Sequence, residues 1–419
     1  MSAGTVTTDE PVVDGGIRSV NFFNGRLLTG EDLTREQAAN EVARLRLGRA
    51  LGTGVVSGLE VSASPASSNA RPVVRVEAGS AVNREGRVLQ LAGATEVSLA
   101  RERDDGAGAD VLFTDCRPLQ PGTYSAGAGA FLLTIAPAER GEGRAKVSGL
   151  GNEDAGCNIA FSIHGVQFRL WRLLLPPELA NDADRLRNGI AHLMLGTDDP
   201  RRLAFERDPL GSPVGPYGLL DDLRSTCLTD DQVPLAVLAW TATEGIRFVD
   251  LWSVRRRVVA PAADTRFPTL VSDRRRAEAE AGFLQFQAQV ADLMLGTGGL
   301  SAVQAGDRFT FLPAVGMVPI AAEGSPSGFD ADLFLGAQGS DELAALDAAL
   351  LRPLVQESFW HDPIRTGEGE ERIQRYVVWH DELRARDVLV FARRTLTYRG
   401  SARFGRARFG LSRFSPSIT

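Results

Sequence analysis

The stretch Leu-Gly-Thr-Gly-Val-Val-Ser-Gly-Leu-Glu-Val at residues 51–61 decides the fold class, because the hydrophobic periodicity of the chain changes within it. Before it, apolar residues recur at the three- and four-residue spacing of one helix face: Ala39, Val42, Ala43, Leu47 and Ala50. After Gly54, apolar residues alternate as they do in strands. The stretch therefore predicts a helix that stops at its glycines and passes directly into a sheet.

The start of this helix is marked by Thr29 and Asp32, a variant capping box in which aspartate replaces the usual glutamate. We expect a helix near 30–51, stopped by Gly52 and Gly54. Gly52-Thr53-Gly54 resembles part of a phosphate-binding loop, but no lysine or helix follows it. A link from helix to strand is the better interpretation.

The rest of the chain shows strands mixed with scattered helices, without the rhythm of strand–helix–strand units. This predicts an α+β fold of several β-rich modules with antiparallel sheets. Helices are expected near 178–195, 267–295 and 341–356. Strands are expected at 55–61, 73–76, 87–91, 96–99, 110–114, 130–136, 159–163, 166–174, 233–241, 246–254, 308–312, 315–320, 372–379 and 387–398.

These elements divide the chain into five predicted segments. They are a disordered leader (1–17), an N-terminal helix with a small antiparallel β module (18–100), a β-rich domain (101–262), a long helix with an α+β module (263–399) and a basic tail (400–419). In the long helix, Phe283, Phe286, Val290 and Leu293 supply the apolar face. Residues 193–197 and 293–297 have the same sequence, Leu-Met-Leu-Gly-Thr. Two helices that each end at a glycine C-cap explain this more simply than duplication does.

Composition describes an ordinary globular chain of 419 residues, 43% hydrophobic and 24% charged. No window approaches the roughly 18 apolar residues of a membrane helix. The three cysteines are odd in number and far apart, so no disulfide framework is expected and a cytoplasmic location fits. The net charge is −7, yet seven arginines and no acidic residue follow Asp387. The sequence therefore combines an acidic body with a basic end.

Candidate chemistry is sparse, because the chain contains only four histidines, at 164, 192, 361 and 380. Two Trp-His-Asp triplets end at Asp362 and Asp381, and a metal site there is the alternative to plain packing. No Cys or His accompanies them at ligand spacing. The aspartate doublets at 198–199, 221–222 and 230–231 lack the other residues of a calcium loop. We therefore expect no enzyme, no catalytic residue, no metal and no cofactor.

The arginine triplets at 255–257 and 274–276 could contact nucleic acid, but the acidic body disfavours that interpretation. Solvated faces or salt bridges between subunits are the preferred explanation. Nucleic acid is therefore not an expected partner.

Several segments together resemble a family of proteins encoded beside the baseplate genes of phage-tail-like contractile injection systems. They are Phe-Phe-Asn-Gly-Arg-Leu-Leu-Thr (22–29), Glu-Asp-Leu (31–33), the stretch 51–61, Val-Glu-Ala-Gly-Ser-Ala-Val-Asn (76–83), Val-Pro-Leu-Ala-Val-Leu (233–238), Val-Arg-Arg (254–256) and Phe-Thr-Phe-Leu-Pro-Ala-Val-Gly-Met-Val-Pro (309–319). Asn83 stands where aspartate is more usual. The likeness covers roughly residues 20–320 and continues more weakly to 395.

This resemblance implies a structural particle component, at the baseplate or its peripheral fibre or cage, that acts through contacts with other subunits. It implies no catalytic residues, and a homotrimer by analogy with phage-like appendages. Two alternatives stay open. One is a β-rich module that binds a carbohydrate or another surface ligand through exposed aromatics on a concave sheet. The other is a cargo effector enzyme with a deep polar pocket of histidines or carboxylates.

Two sets of residues are candidates for partner binding. Phe22, Phe23, Leu27 and Leu28 surround an Asn-Gly turn, and we expect them to be core residues packed on the helix and first strands, with a docking surface as the alternative. The second set alternates arginine with phenylalanine in the tail: Arg403, Phe404, Arg406, Arg408, Phe409, Arg413 and Phe414. Because Phe and Arg both anchor interfaces, we expect the tail to order on an acidic, pocketed surface of a neighbouring subunit, with another copy of this chain as one candidate. A solubilising end and an RNA-binding segment are the alternatives.

Overall fold

The computed structural model describes residues 13–69, 71–99, 129–144, 159–207, 215–258, 273–296, 299–320, 328–367, 372–379 and 388–396. Within them, helices are interspersed with mostly antiparallel sheets, which confirms the predicted α+β class. Residues 1–12 of the predicted leader, the strand expected at 110–114 and the whole tail at 400–419 lie outside the described residues. No helix within the described ranges is long and apolar enough to cross a membrane.

The N-terminal helix α1 spans Gly30–Leu51, and its capping box is confirmed. Thr29 Oγ1 accepts a hydrogen bond from the Asp32 N–H at 3.1 Å, and Asp32 Oδ2 accepts one from the Thr29 N–H at 3.2 Å. These reciprocal bonds satisfy donors that the first helical turn leaves unpaired. Gly52 is the C-cap, and the chain passes directly into a strand.

Six short strands follow α1 and form two three-stranded antiparallel sheets, ordered β1-β4-β5 and β2-β3-β6. Their bounds are β1 Gly54–Gly58, β2 Val61–Ala63, β3 Val73–Val76, β4 Gly79–Val82, β5 Val88–Leu91 and β6 Thr95–Ser98. The sequence correctly predicted a small antiparallel unit here. Backbone bonds tie it to later residues: the Val55 N–H donates to Arg256 O at 2.7 Å.

The middle of the chain forms a four-stranded antiparallel sheet in the order β10-β9-β7-β8. Its strands are β7 Gly129–Arg144, β8 Ile159–Arg172, β9 Val233–Thr241 and β10 Gly245–Asp250. The two strands predicted at 159–163 and 166–174 are one continuous strand. The separation at residues 164–165 was wrong because His164 and Gly165 keep the pairing register, opposite Glu139 and Ala138.

The β7–β8 pair runs past the rest of its sheet. Pairing of β7 with β9 ends at Ile135, whereas pairing with β8 continues to Arg144. We call residues 139–144 and 159–164 the distal hairpin. Nearly all of its side chains with a described position are exposed, including an alternating set of Ile159, Phe161 and Ile163 at 64%, 68% and 46%.

Three helices pack on one face of this sheet: α2 Pro177–Ala180, α3 Leu186–Leu195 and α5 Leu219–Thr226. A fourth helix, α4 Pro200–Arg207, follows α3 along the chain. A continuous helix over 178–195 was predicted, and that is wrong. Asp182 interrupts it, since its carboxylate accepts a bond from the Arg185 N–H at 3.1 Å and so competes with the helical pattern. The expected end at Gly196 is confirmed by its left-handed φ of 65°.

The C-terminal part contains α6 Asp273–Leu295, which corresponds to the long helix predicted near 267–295, although residues 267–272 lie outside the described part. Of its predicted apolar face, Phe283, Phe286 and Val290 are buried. Shorter helices follow: α7 Ala305–Arg308, α8 Ala331–Leu335 and α9 Ala348–Ser358. The sequence shared by residues 193–197 and 293–297 marks the end of a helix in both places, since α3 ends at Leu195 and α6 at Leu295.

The C-terminal sheet has the order β12-β16-β15-β13, beside a two-stranded β11-β14 pair. Its strands are β11 Phe311–Leu312, β12 Val315–Pro319, β13 Gly339–Asp347, β14 Ile364–Arg365, β15 Ile373–Trp379 and β16 Val388–Arg393. The helix predicted at 341–356 is wrong in its first half, because residues 343–347 pair in parallel with β15. Asp347 then caps α9, its Oδ1 accepting from the Ala349 N–H at 2.9 Å.

The two faces of the middle sheet bury separate cores, as the alternation of strand side chains requires. Phe131, Leu133 and Ile135 of β7 pack with the N-terminal strands, while Leu132 packs under α3 and α5. A third core surrounds Phe286 of α6 and the β11–β14 pair, and a fourth lies between α9 and the C-terminal sheet.

A buried polar seam joins α3, α6 and the segment before β11. Asn188 Nδ2 donates to Gln285 Oε1 at 3.0 Å, and Asn188 Oδ1 accepts from the Thr310 and Phe311 N–H groups at 2.8 and 2.9 Å. Gln289 Nε2 donates to Arg308 O at 3.0 Å. Because each buried amide finds its partners, the seam fixes the relative position of the middle and C-terminal modules.

Cys227 is disulfide-bonded. The expectation that no disulfide forms was therefore wrong. Spacing along the chain did not reveal the pair, because the folding of distant segments decides which thiols meet.

Candidate functional site

The first candidate site is the set of exposed apolar side chains around α1, which we call the N-terminal apolar surface. Ahead of the helix, Phe22, Phe23, Leu27 and Leu28 are 51%, 64%, 89% and 54% exposed. On the helix, Leu33, Leu47 and Leu51 are more than half exposed. These three leucines share one helix face, because separations of 14 and 18 residues are close to four and five turns.

The expectation that Phe22 and Phe23 belong to the core is wrong. Polar contacts hold their segment against α1: the Val20 N–H donates to Glu36 Oε2 at 3.0 Å, and Arg26 pairs with Asp32 at 2.6 Å. The Arg26 guanidinium also donates to Asn21 O at 2.7 Å. The motif thus uses its polar atoms to attach the segment and leaves its large apolar side chains facing solvent.

The helix itself touches the body through glycine rather than through large side chains. Only Asp32, Ala39 and Gly48 of α1 are buried. A Cβ placed on Gly48 would lie 1.9 Å from the Gly86 carbonyl oxygen, which shows how closely the backbones approach. The predicted stripe of Ala39, Val42, Ala43, Leu47 and Ala50 is therefore not a buried face; beyond Ala39 its members are exposed.

The Asp32 carboxylate has a pKa below its usual range, first because it accepts bonds from the Thr29 N–H and hydroxyl groups and then because Arg26 lies beside it. Glu41 pairs with Arg87 at 2.5 Å and joins α1 to the turn between β4 and β5. Such contacts give α1 a fixed position without burying its apolar side chains.

The second candidate site is a groove of about 960 Å³ between the helices of the middle module and the β11–β14 pair. Its apolar lining comes from Pro176, Leu179, Leu193, Pro200, Leu219 and Phe311. Its charged lining consists of Glu178, Asp182, Asp198, Asp199 and Asp222 against Arg185, Arg201 and Arg365, a formal charge of −2. We call it the acidic groove.

Arginines engage the carboxylates of this groove. Arg201 bridges Asp199 at 2.6 Å and Asp222 at 2.7 Å, and Arg365 pairs with Asp198. The bonds from Arg201, with those from the Gly218 and Arg201 N–H groups, lower the pKa of Asp199 to about 2. The other described members of the aspartate doublets also pair with arginine, Asp221 with Arg224 and Arg274 among them, so these doublets act as ion-pair partners.

His192 lies at the inner end of the groove and is buried. Burial lowers its pKa to about 3, and the charge of Arg202 adds to that effect. Its Nδ1 is 2.8 Å from Thr197 Oγ1, and its ring centroid is 4.7 Å from that of Phe311. A neutral, packed histidine of this kind helps to form the groove floor. The Phe311 ring also has the Arg365 guanidinium 4.7 Å from its centroid.

The arginine triplets make contacts within the chain, so the expectation of solvated faces or subunit salt bridges is corrected for these side chains. Arg256 donates to the carbonyl oxygens of Trp252 at 2.9 Å and Ser253 at 3.1 Å. Arg274 pairs with Asp221 and Glu278, and Arg275 pairs with Asp362.

Of the two Trp-His-Asp triplets, only the first falls within the described residues; His380 and Asp381 lie outside them. Asp362 binds Arg202 at 2.6 Å as well as Arg275, and these arginines hold its pKa below the usual range although burial opposes them. Within the described part of the chain, no group of three or more His, Cys, Asp or Glu side chains is placed to hold a metal ion.

The predicted partner-binding residues divide into two groups. Phe22 and Phe23 are on the N-terminal apolar surface, whereas Arg403, Phe404, Arg406, Arg408, Phe409, Arg413 and Phe414 lie outside the described residues. The sequence did not predict the acidic groove, although two of the aspartate doublets contribute to its lining. The spacing of those doublets gave no sign that residues 176–201 and 218–222 lie beside Phe311 and Arg365.

Comparison of the chain with protein-family models and with curated proteins finds no match.

Proposed function

We propose that this chain is a non-catalytic structural subunit of a phage-tail-like contractile injection particle, at the baseplate or its peripheral fibre or cage. The N-terminal apolar surface carries this proposal. Phe22, Phe23, Leu27 and Leu28 place four exposed large apolar side chains within one short segment. Clusters of exposed apolar side chains mark contacts with other proteins.

The chemistry of the N-terminal motif supports the same conclusion. Its polar residues have internal partners: Thr29 with Asp32, Arg26 with Asp32 and Asn21, and Glu36 with the Val20 backbone. Phe22, Phe23, Leu27 and Leu28 remain exposed although the segment that bears them is attached. A fixed, apolar, solvent-facing surface is what a neighbouring subunit can bind without first ordering it.

The proposal includes other copies or other subunits of the particle as partners, with a homotrimer as the assembly state suggested by the likeness to phage-like appendages. It places assembly in the cytoplasm, followed by release with the particle. The Cys227 disulfide is compatible with release, because disulfides persist in oxidising surroundings.

The test measures how much of each variant chain is incorporated into purified particles. The variants are Phe23→Ser and Leu27→Ser, and Leu295→Ser is the matched control. Leu27 and Leu295 are 89% and 85% exposed, so each substitution removes the same side chain from solvent. All three variants should keep the wild-type melting temperature, since exposed substitutions change stability by only about ±0.5 kcal/mol.

Occupancy in purified particles should fall on the order of tenfold or more for Phe23→Ser and Leu27→Ser, as expected for interface anchors, and stay at the wild-type level for Leu295→Ser. Mass spectrometry of particles carrying the tagged wild-type chain should also find sheath and tube subunits. Wild-type occupancy of both N-terminal variants would refute the role of this surface, and the absence of sheath and tube subunits would refute the particle assignment.

A further inference from the structure

We infer that the acidic groove binds the basic tail of the same chain, residues 400–419. This inference does not depend on the proposed function, because it concerns two parts of one polypeptide and can be tested on the isolated protein.

The acidic groove and the tail have opposite net charges. The groove carries five carboxylates against three guanidinium groups, while the tail contains Arg403, Arg406, Arg408 and Arg413 and no acidic residue. The groove aspartates already pair with arginine, yet each carboxylate has about four acceptor positions. Asp198 and Asp222 keep about half of their side-chain surface exposed, so they can accept further guanidinium donors.

The apolar lining and the volume of the groove match the phenylalanine side chains of the tail. The tail places phenylalanine at positions 404, 409 and 414, and the groove offers an apolar lining formed by Leu179, Leu193, Leu219 and Phe311. Its volume of about 960 Å³ is at the upper end of the range that ligand sites show. It therefore has room for aromatic side chains of a peptide as well as for its arginines.

The described chain ends close to the groove, which favours the chain's own tail over that of a second copy. The Arg393 N–H donates to Ala314 O at 2.8 Å, and Arg393 Nη1 donates to Asp362 O at 3.1 Å. Phe311 and Arg365, which line the groove, are each three residues from these acceptors. That separation corresponds to roughly 10 Å of extended chain.

The tail begins a few residues after this anchor. From Leu396 to Phe404 the chain can extend over roughly 28 Å, and to Phe414 over roughly 60 Å. A segment tethered at this distance has an effective concentration on the order of millimolar. The tail of the same chain therefore outcompetes that of a second copy at ordinary protein concentrations.

The experiment uses the full chain and a synthetic peptide of residues 400–419 with a fluorescent label. The variant with Phe404→Ser, Phe409→Ser and Phe414→Ser keeps the chain length but loses the aromatic anchors, so its groove should be open. Anisotropy should show the peptide binding this variant at least tenfold more tightly than it binds the wild-type chain, because the wild-type tail competes.

Groove variants locate the site. Leu193→Arg, added to the triple tail variant, should weaken peptide binding at least tenfold, whereas the matched change Leu295→Arg, on an exposed leucine outside the groove, should leave it unchanged. Hydrogen exchange gives a second measurement: peptides covering α3 and α5 should be more protected in the wild-type chain than in the triple variant.

Three results would overturn the inference. Peptide binding that is equally weak or absent in the triple variant would show that the groove is not a tail site. Equal binding to wild type and triple variant, with equal exchange of α3 and α5, would show that the tail does not occupy it. Oligomers of the wild-type chain that disappear in the triple variant would show docking on a second copy instead.

Discussion

The variant Gly48→Ala should weaken the attachment of α1 to the body, although the same change at most helix positions stabilises a protein. Alanine is better than glycine inside a helix by about 1 kcal/mol, so sequence reasoning alone predicts a gain. Gly48, however, faces the Gly86 turn, where φ is 87° and where the carbonyl oxygen would lie 1.9 Å from the new Cβ.

The magnitude follows from that contact. Real Cβ contacts essentially never fall below 3.0 Å, and the atoms met here are backbone, which no rotamer change can move. The helix and the turn would have to separate by roughly 1.1 Å, at a cost near the upper end of the 1–3 kcal/mol typical of overpacking. Subtracting the helix gain leaves a net loss of about 2 kcal/mol, or roughly a 30-fold increase in local opening.

Hydrogen exchange measured by mass spectrometry on the full chain is the suitable assay, because it reports the opening of α1 separately from the other modules. Gly30→Ala is the matched control, since it changes the same residue type in the same helix with no atom within 4 Å of the new Cβ. Exchange across α1 should accelerate for Gly48→Ala and not for Gly30→Ala. Unchanged or slower exchange in Gly48→Ala would refute the claim that the helix is held by backbone approach.

Two further predictions concern the groove floor and the polar seam. Because the buried His192 has a pKa of about 3, unfolded chains take up a proton below pH 6.5 that folded chains exclude, so stability should fall by roughly 1.4 kcal/mol per pH unit between pH 6 and 4. In urea denaturation, the free energy of unfolding of His192→Gln should fall less steeply with decreasing pH than that of the wild type. Equal pH dependence of the two proteins would contradict the burial of His192. Asn188→Ala should cost roughly 3 kcal/mol, since it leaves buried partners on Gln285 and two backbone N–H groups without their hydrogen bonds. The exposed Asn181→Ala is its control in the same denaturation assay, and equal losses for the two variants would argue against a structural role of the seam.

Local signals predicted much of the fold. The capping box at Thr29 and Asp32, the left-handed Gly196 and the strand pattern of Val233–Thr241 each depend on neighbours within a few residues, and each is confirmed. Predictions failed where tertiary pairing outweighed propensity. Residues 343–347 have the composition of a helix but pair with β15, which supplies hydrogen bonds that periodicity cannot reveal.

The site was less predictable than the fold. Phe22 and Phe23 are residue types typical of a core, yet both face solvent. Their segment is attached to α1 through polar contacts of Arg26 and Glu36, which the sequence did not reveal. The acidic groove required three distant segments, near residues 180, 220 and 311, to meet. Such long-range proximity follows from the packing of α3 against α6 and the β11–β14 pair, and no short motif encodes it.

The distal hairpin forms a two-stranded arm that extends beyond the rest of its sheet. Its strands continue roughly 30 Å beyond Ile135, the last residue of β7 that pairs with β9, at about 3.3 Å per residue. These strands are continuous with the part of β7 that carries Phe131, Leu133 and Ile135 into the core shared with the N-terminal strands. A partner bound at residues 139–144 or 159–164 would therefore contact the end of a long two-stranded arm whose base lies in that core.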